Sequence, residues 1–385
     1  MDESGLLTAA EAAARLGVKR QTLYAYVSRG VLDRQVALDG RSSLFDPAQI
    51  DAVRLGKRDR TEGELRTLIA TAITHVSDEA LLVRGHDLIA LVESGRSFQQ
   101  IVDLLWLAPT DESWPTADLV LTTNFDGVDG LRSLVAAASA GDPLRHDLSA
   151  PSVRSAGRRM IVTMAHGLPV QAKGSDRALA GAIWRRLTKR RGSAKERAAL
   201  DVALALLVDH GLASSTFAAR IAASVRADPY SVVTAGLGVV GGALHGAASA
   251  AVHDLLVDAE RRGDAAQAVG EVLRATGRVP GFGHTLYTRQ DPRYGALMTL
   301  IVEAWADDPR IQHVYRVRDV VGDRRDDFPN IDLALGAFTW LAAMSPQAGE
   351  TIFAVARTAG WLAHAIEEYD EAALRFRPRA RYVGP

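Results

Sequence analysis

The chain has 385 residues, of which 48% are hydrophobic and 24% charged, with a formal charge of −1. That length and mix exclude a disordered polymer and allow a large core spread over two or three domains. The balanced charge excludes a global pull toward nucleic acid or anionic lipid, and the lack of cysteine excludes disulfides, thiolate nucleophiles and cysteine-type zinc sites. Few aromatics, many alanines and long stretches without turn signals predict a mainly α protein. The N-terminus is acidic, without the basic start and apolar core of a signal peptide, so the expected location is the cytoplasm.

Residues 6–57 read as a module of their own. Thr8-Ala9-Ala10-Glu11 is a capping-box pattern that opens a helix running to Leu16, and Gly17 supplies the turn after it. Residues 18–27 predict a second helix, with Val18, Leu23 and Val27 facing the first and Lys19, Arg20, Gln21, Thr22 and Tyr26 outside. Asp39-Gly40 between two short apolar runs signals a hairpin, and Asp46-Pro47 a third helix. Helix, turn, helix, wing, helix resembles the small winged helix-turn-helix domain of the MerR and excisionase type, whose second helix enters the major groove. The resemblance implies DNA as a partner of residues 1–57, through Lys19, Arg20, Gln21, Thr22 and Tyr26. Charge adds little, since residues 1–60 hold ten Lys/Arg against eight Asp/Glu. A helical hairpin used for dimer contacts is the alternative.

Residues 57–63 form a charged linker, and from Leu65 onward the composition turns apolar and helical. Ser94-Gly95-Arg96-Ser97 closes one helix and caps the next, which runs through Ile101 to Trp106. Irregular stretches are expected at 109–115, at 142–151 and at 169–175. The basic residues Arg185, Arg186, Lys189, Arg190, Arg191 and Lys195 read as a solvated face. An apolar helix from 192 to 208 leads into Asp209-His210. Between Asp228 and Asp254 there is no formal charge, but Pro229 and five glycines make this a poor membrane span and a good close-packed helix. Taken alone, His245 within it reads as a core histidine.

Partners elsewhere change that reading. Histidines His210, His245 and His284, the carboxylate Asp332 and the separated arginines Arg293, Arg357 and Arg377 suit a polyanionic substrate. Histidine and carboxylate supply acid and base near neutral pH, and guanidinium forks match carboxylates. No HExxH or other metal-ligand spacing occurs, nor a Walker loop or GxSxG elbow, so no metal is expected.

In order, the chain shows Asp209-His210-Gly211-Leu212-Ala213-Ser214-Ser215-Thr216, Gly242-Ala243-Leu244-His245-Gly246-Ala247-Ala248-Ser249, Gly281-Phe282-Gly283-His284-Thr285-Leu286-Tyr287, Asp291-Pro292-Arg293, Pro329-Asn330-Ile331-Asp332, residues 356–364 and Arg377-Pro378-Arg379. These clusters resemble the motifs of the citrate synthase family, and Leu82-Val83-Arg84-Gly85-His86-Asp87 resembles an earlier one. The resemblance covers residues 65–385. It implies a large and a small helical domain within 58–385, the small one at about 250–345. It also implies an acyl-CoA condensing transferase of the citrate synthase type, or of the 2-methylcitrate type with propionyl-CoA. In the family's arrangement Asp332 is the base for the acyl-CoA methyl proton, His245 stabilises the enol, and His284 polarises and protonates the oxaloacetate carbonyl. His210, Arg293 and Arg357 hold the oxaloacetate, with Arg377 reaching in from the other subunit of a homodimer. Gly281, Phe282 and Gly283 lie over CoA, and no cofactor is required beyond acyl-CoA as substrate.

The chain departs from the pattern at Gly211, at Ser249-Ala250, at Thr285-Leu286, and at Leu333 and Leu335, which bears on substrate choice and rate. Two classes of function follow. One is the condensing enzyme. The other is a DNA-binding transcriptional regulator whose body senses a CoA ester or oxo acid, and the retained Asp332 favours the enzyme.

Overall fold

The computed structural model describes residues 6–377 apart from 29–31, 38–41, 55–68, 79, 117–120, 175, 177, 243–245 and 326. It divides into two compact units, Met1–Ala70 and Thr71–Pro385.

In the first unit, β1 (Leu7–Thr8) leads into α1 (Ala9–Leu16), followed by α2 (Arg20–Ser28), β2 (Gln35–Val36), β3 (Ser43–Phe45) and α3 (Pro47–Arg54). The capping box forms: Glu11 N–H donates to Thr8 Oγ1 at 3.4 Å, and Thr8 N–H to Glu11 Oε2 at 2.8 Å. Gly17 ends α1 with φ 70°, a left-handed conformation that glycine adopts without Cβ strain. β3 pairs antiparallel with both β1 and β2, as a hairpin requires, although Asp39-Gly40 themselves lie outside the described residues. Leu23, Phe45 and Ile50 close a small core. Lys19, Arg20, Gln21 and Thr22 are exposed as expected. Tyr26 is not: it packs on this core, and the exposed aromatic of α2 is Tyr24, whose ring meets Phe45 edge-on. The expected linker at 57–63 lies outside the described residues.

The second unit opens with a three-stranded antiparallel sheet, β4 (Thr74–Val76), β5 (Leu81–Val83) and β6 (His86–Asp87). Here the chain is extended, where the composition from Leu65 onward pointed to helix. The period is two, with Leu81 and Val83 buried and Leu82 between them partly exposed, and Arg84-Gly85 turns the chain with φ 49° and 81°. Helices follow: α4 (Leu88–Glu93), α5 (Phe98–Leu105), α6 (Gly127–Gly141), α7 (Ala150–Gly167), α8 (Leu179–Leu187), α9 (Ala194–Leu206), α10 (Ser214–Ser224) and α11 (Pro229–Val240). Then come α12 (Ala248–Arg262), α13 (Ala265–Thr276), α14 (Pro292–Ala304), α15 (Ile311–Gly322), α16 (Ile331–Leu341) and α17 (Ala348–Tyr369). Ser97 caps α5 with a second capping box, closed by Gln100. Among the described residues no helix is long and apolar enough to cross a membrane.

The helix α17 is apolar on nearly every side and packs against α6, α7, α9, α10, α11, α12 and α16, so it runs through the core rather than over it. Trp106 donates its indole N–H to Ala359 O of this helix at 2.8 Å. Arg158, beside the stacked Trp106 and Trp114 rings, binds Asp103 and Glu112, and Arg154 also binds Glu112, which pins the irregular stretch 109–115. The basic run near 185–195 is less solvated than its composition suggests. Arg186 donates to the carbonyls of Ala182 and His166, its Nε is enclosed without a partner among the described residues, and burial pushes its pKa down to about 10.

Candidate active site

The placement of the acid–base residues begins with backbone. Gly281 and Gly283 have φ 83° and 69°, and the short segment they bracket is clipped to 328–330: Gly283 N–H donates to Phe328 O at 2.8 Å, Asn330 N–H to Gly281 O at 2.9 Å, and Asn330 Nδ2 to Gly283 O at 2.7 Å. A Cβ on Gly281 would come within 2.7 Å of Val252 and 3.1 Å of the Leu333 backbone, so the close approach depends on glycine. Asn330 also caps α16 by accepting the Asp332 N–H at 2.9 Å. One clip therefore sets His284, which follows the glycines, and Asp332, in the first turn of α16. Phe282 packs against the core from this segment.

These residues share a cavity of about 140 Å³, lined by His210, Gly246, Ser249, His284, Arg293, Asp332, Phe353 and Arg357 together with apolar neighbours. A larger cleft of about 890 Å³ is lined by Arg132, Arg186, Lys189 and Glu350, but by no histidine among the described residues. The smaller cavity is the candidate site, because convergent acid, base and cation groups carry chemistry and size does not.

Electrostatics separate the roles. His284 accepts the N–H groups of Leu286 at 3.0 Å and Tyr287 at 3.4 Å on Nδ1, so the neutral ring carries its proton on Nε2 and can donate it. Burial, reinforced by Arg293, holds this imidazole below its ordinary pKa. His210 is held neutral more strongly, by burial and by Arg293, Arg357 and His284 around it. Its Nε2 lies 2.9 Å from the Tyr287 hydroxyl, a phenol that burial pushes up to about 12. Burial pushes the Asp332 carboxyl up to about 6, against the pull of Arg293 and with the help of Asp291.

The two arginines are held differently. Arg293 forks onto Asp291 through Nε at 2.9 Å and Nη2 at 2.8 Å, and Asp291 also caps α14 and accepts the Ile331 N–H at 3.0 Å. Arg357 donates Nε to Leu207 O at 2.9 Å and lies 4.5 Å over the Phe353 ring, with no carboxylate in ion-pair reach among the described residues. Burial pushes it down to about 10, which the Asp209 charge opposes and Arg293 reinforces, and it remains cationic near neutral pH. Nη1 of Arg293 and both Nη of Arg357 have no hydrogen-bond partner among the described residues, which leaves them available to an anion.

The structure thus unites His210, His284, Arg293, Asp332 and Arg357. His245 lies outside the described residues. Arg377 is exposed and does not line the cavity of its own protomer. Tyr287, Asp291 and Phe353 were not anticipated as site residues. Their signals were present: an aromatic three residues after His284, an acid two before Arg293, and an aromatic one turn before Arg357.

The sheet reaches the same loop. In the β4–β5 turn, Asp78 accepts the Thr288 N–H at 2.5 Å and its hydroxyl at 2.6 Å, and β4 offers the Thr74 hydroxyl to Asp209 at 2.5 Å. Replacing Asp78 with alanine is expected to free the 284–288 loop and lower kcat/KM about tenfold, well inside the ~10²-fold that a 1 Å misplacement can cost. Steady-state kinetics check this, and unchanged kcat/KM would show that the strap does not position His284.

A helical body thus encloses one cavity where imidazoles, a carboxylate and two guanidinium groups converge, the makings of an acid–base enzyme. The structure is similar to citrate synthase from Thermoplasma acidophilum, in a ternary complex with carboxymethyl coenzyme A and oxaloacetate, with a TM-score of 0.69 at 24% identity over 85% of this chain and 97% of that one. It is similar also to citrate synthase from Pyrobaculum aerophilum, with a TM-score of 0.70 at 23% identity over 85% and 92% of the two chains. A citrate synthase of Haloferax volcanii is 37% identical over 188 residues, a match that spans 49% of that relative and 48% of this chain. The citrate/2-methylcitrate synthase of Bacillus subtilis is 28% identical over 82% of this chain and 95% of its own length. The family model for the citrate synthase C-terminal domain matches residues 65–379. The chain therefore belongs to the citrate synthase family, a family of acyltransferases.

Proposed function

We propose that this protein condenses an acyl-CoA, acetyl-CoA first and propionyl-CoA second, with oxaloacetate and hydrolyses the resulting thioester. The observation that carries the reading is the single cavity holding a base, a proton donor and two available guanidinium edges. Its volume suits a four-carbon oxo acid, so the CoA nucleotide has to lie outside it, along Gly281-Phe282-Gly283.

Arg293 and Arg357 hold the carboxylates of the oxo acid beside neutral His210, and Arg377 of the partner subunit completes the site. Asp332 takes a proton from the carbon next to the thioester. A desolvated carboxylate with a pKa near 6 is largely ionised at pH 7 and more basic than an exposed one. His245 stabilises the enol oxygen. The enol carbon attacks the keto carbon while His284 delivers its Nε2 proton to the keto oxygen; water then cleaves the thioester to release CoA and the tricarboxylate, and the proton held by Asp332 returns through solvent to restore neutral His284. No metal or redox cofactor enters the scheme. Dimer formation is supported by α10 and α11: Phe217, Ile221 and Val225 form a partly exposed apolar stripe, and Ser231, Thr234 and Gly238 an exposed small-residue stripe.

The test is CoA release from acetyl-CoA and propionyl-CoA with oxaloacetate. The chain has no cysteine, so a thiol dye counts only the product. Because the base must be ionised, kcat/KM is expected to fall tenfold per pH unit below about pH 6 and to level off above it. Absent turnover with both thioesters would end the enzyme reading.

The first unit supports a second role, DNA binding through the exposed Lys19, Arg20, Gln21 and Thr22 at the start of α2, with the wing formed by β2 and β3. A salt titration of duplex binding is expected to lose its slope when residues 1–57 are removed. Affinity that survives the deletion would refute the headpiece as a DNA reader.

A further inference from the structure

Beside the cavity, but not lining it, runs a chain of buried charge. Asp209, which precedes His210, is completely enclosed. Its Oδ2 accepts the Thr74 hydroxyl and lies 3.4 Å from His364 Nε2, while its Oδ1 has no partner among the described residues. His364 Nδ1 is 2.9 Å from Arg220 Nη1. A guanidinium only donates, so His364 accepts on Nδ1 and must donate from Nε2 to Asp209, which fixes its tautomer. Arg220, enclosed as well, binds Glu368 Oε2 at 2.9 Å and Glu367 Oε2 at 2.6 Å. Glu368 then takes both Nε and Nη2 of Arg375 at 2.7 Å.

Arg375 belongs to the C-terminal segment. That segment is laid on α10 by Leu374 N–H donating to Ser224 O at 2.9 Å and by Phe376 meeting the Phe217 ring at 5.5 Å, and two residues beyond Arg375 stands Arg377. At the other end, a Cβ on Gly360 would sit 2.7 Å from Asp209 Oδ1, so the carboxylate presses against α17 one turn from Arg357. Arg357, His364 and Glu368 are spaced by seven and four residues and share a helix face. Burying three charges, those of Asp209, Arg220 and Glu368, costs more than packing apolar side chains of similar volume, which makes a device concerned only with stability a poor account of them.

We propose that His364 is a positioning residue for the oxo-acid subsite, acting through a chain, Asp209–His364–Arg220–Glu368–Arg375, buried as far as Glu368, that ties His210 and Arg357 to the segment carrying Arg377. Fixing Asp209 fixes the backbone of His210 and the counter-charge behind Arg357. Fixing Arg375 fixes the base from which Arg377 projects. The inference rests on the functional reading above for what these groups bind, but its linkage can be read without turnover.

The experiment compares His364→Leu, His364→Gln, Arg375→Ala and the unaltered chain by two measurements: native-state chymotrypsin cleavage after Phe376, read by mass, and the separate KM values for oxaloacetate and acetyl-CoA. His364→Leu is expected to speed that cleavage and raise the oxaloacetate KM, each about tenfold, with the acetyl-CoA KM within about twofold of its starting value. His364→Gln, which can both accept and donate, restores most of each. Cleavage and oxaloacetate KM left unchanged by His364→Leu overturn the proposal, as does a parallel rise in both KM values. If His364→Leu does not fold, Arg375→Ala reads the chain from its other end, and an unchanged oxaloacetate KM overturns it there. If the unaltered protein turns over neither thioester, the functional reading fails, while the cleavage after Phe376 still decides the linkage.

Discussion

Replacing Asp332 with asparagine is expected to lower CoA release by roughly 10²–10⁴-fold, the range a positioned general base contributes, and at the same time to make the protein more stable. Both effects come from one cause. Burial raises this carboxyl to about 6, so the folded chain holds its proton more tightly than the unfolded chain does. Stability from this group is greatest when it is protonated in both states, falls as pH rises from about 4 to about 6, and stays low above that. The shift of about two units corresponds to a penalty on the order of 3 kcal/mol, which asparagine escapes. The gain in thermal stability is therefore expected at pH 8 and nearly absent at pH 4. A variant that is inactive but no more stable at pH 8 would mean that Asp332 is not held ionised against its surroundings.

The second large effect separates two arginines that look alike in the sequence. Arg293→Leu leaves Asp291 buried and unpaired and is expected to destabilise the fold by about 3–5 kcal/mol. Arg357→Leu gives up, among the described residues, the Leu207 carbonyl, the Phe353 ring and the more distant attraction of Asp209, but no direct ion pair, so its melting temperature is expected to fall much less. On the proposed function each loses a charged hydrogen bond to the oxo acid, and both are expected to raise its KM on the order of 10-fold to 10²-fold. Denaturant unfolding beside steady-state kinetics checks the pair. Equal losses of stability would show that the Asp291 fork is no stronger an anchor than a carbonyl.

The contrast between these arginines marks the limit of what the sequence exposes. Local rules were readable. Thr8 with Glu11, Ser97 with Gln100, Gly17 after α1 and Pro47 opening α3 all act over three or four residues, and each stands where its pattern puts it. The site residues His210, His284, Arg293, Asp332 and Arg357 were readable only as ordered motifs, and the fold brings them to one cavity. What escaped was tertiary. The strands of β4 to β6 are two or three residues long, too short for a period of two to stand out against the apolar helices around them. Tyr26 rather than Tyr24 turned inward because the side of α2 that is buried is set by Phe45 and Ile50, far along the chain. That Arg293 is paired with a carboxylate, and that Arg357 among the described residues is not, follows from side chains meeting in space, which spacing does not encode.

The clip between Gly281–Gly283 and Phe328–Asn330 has a consequence for how the protein breathes. The amides of Gly283 and Asn330 are 47 residues apart, yet each is hydrogen-bonded to the other strand of the clip. They can therefore exchange with solvent deuterium only when the two segments part, and they part together. Matched exchange rates at those two amides report how often His284 and Asp332 lose their common frame, in the resting protein and without any substrate.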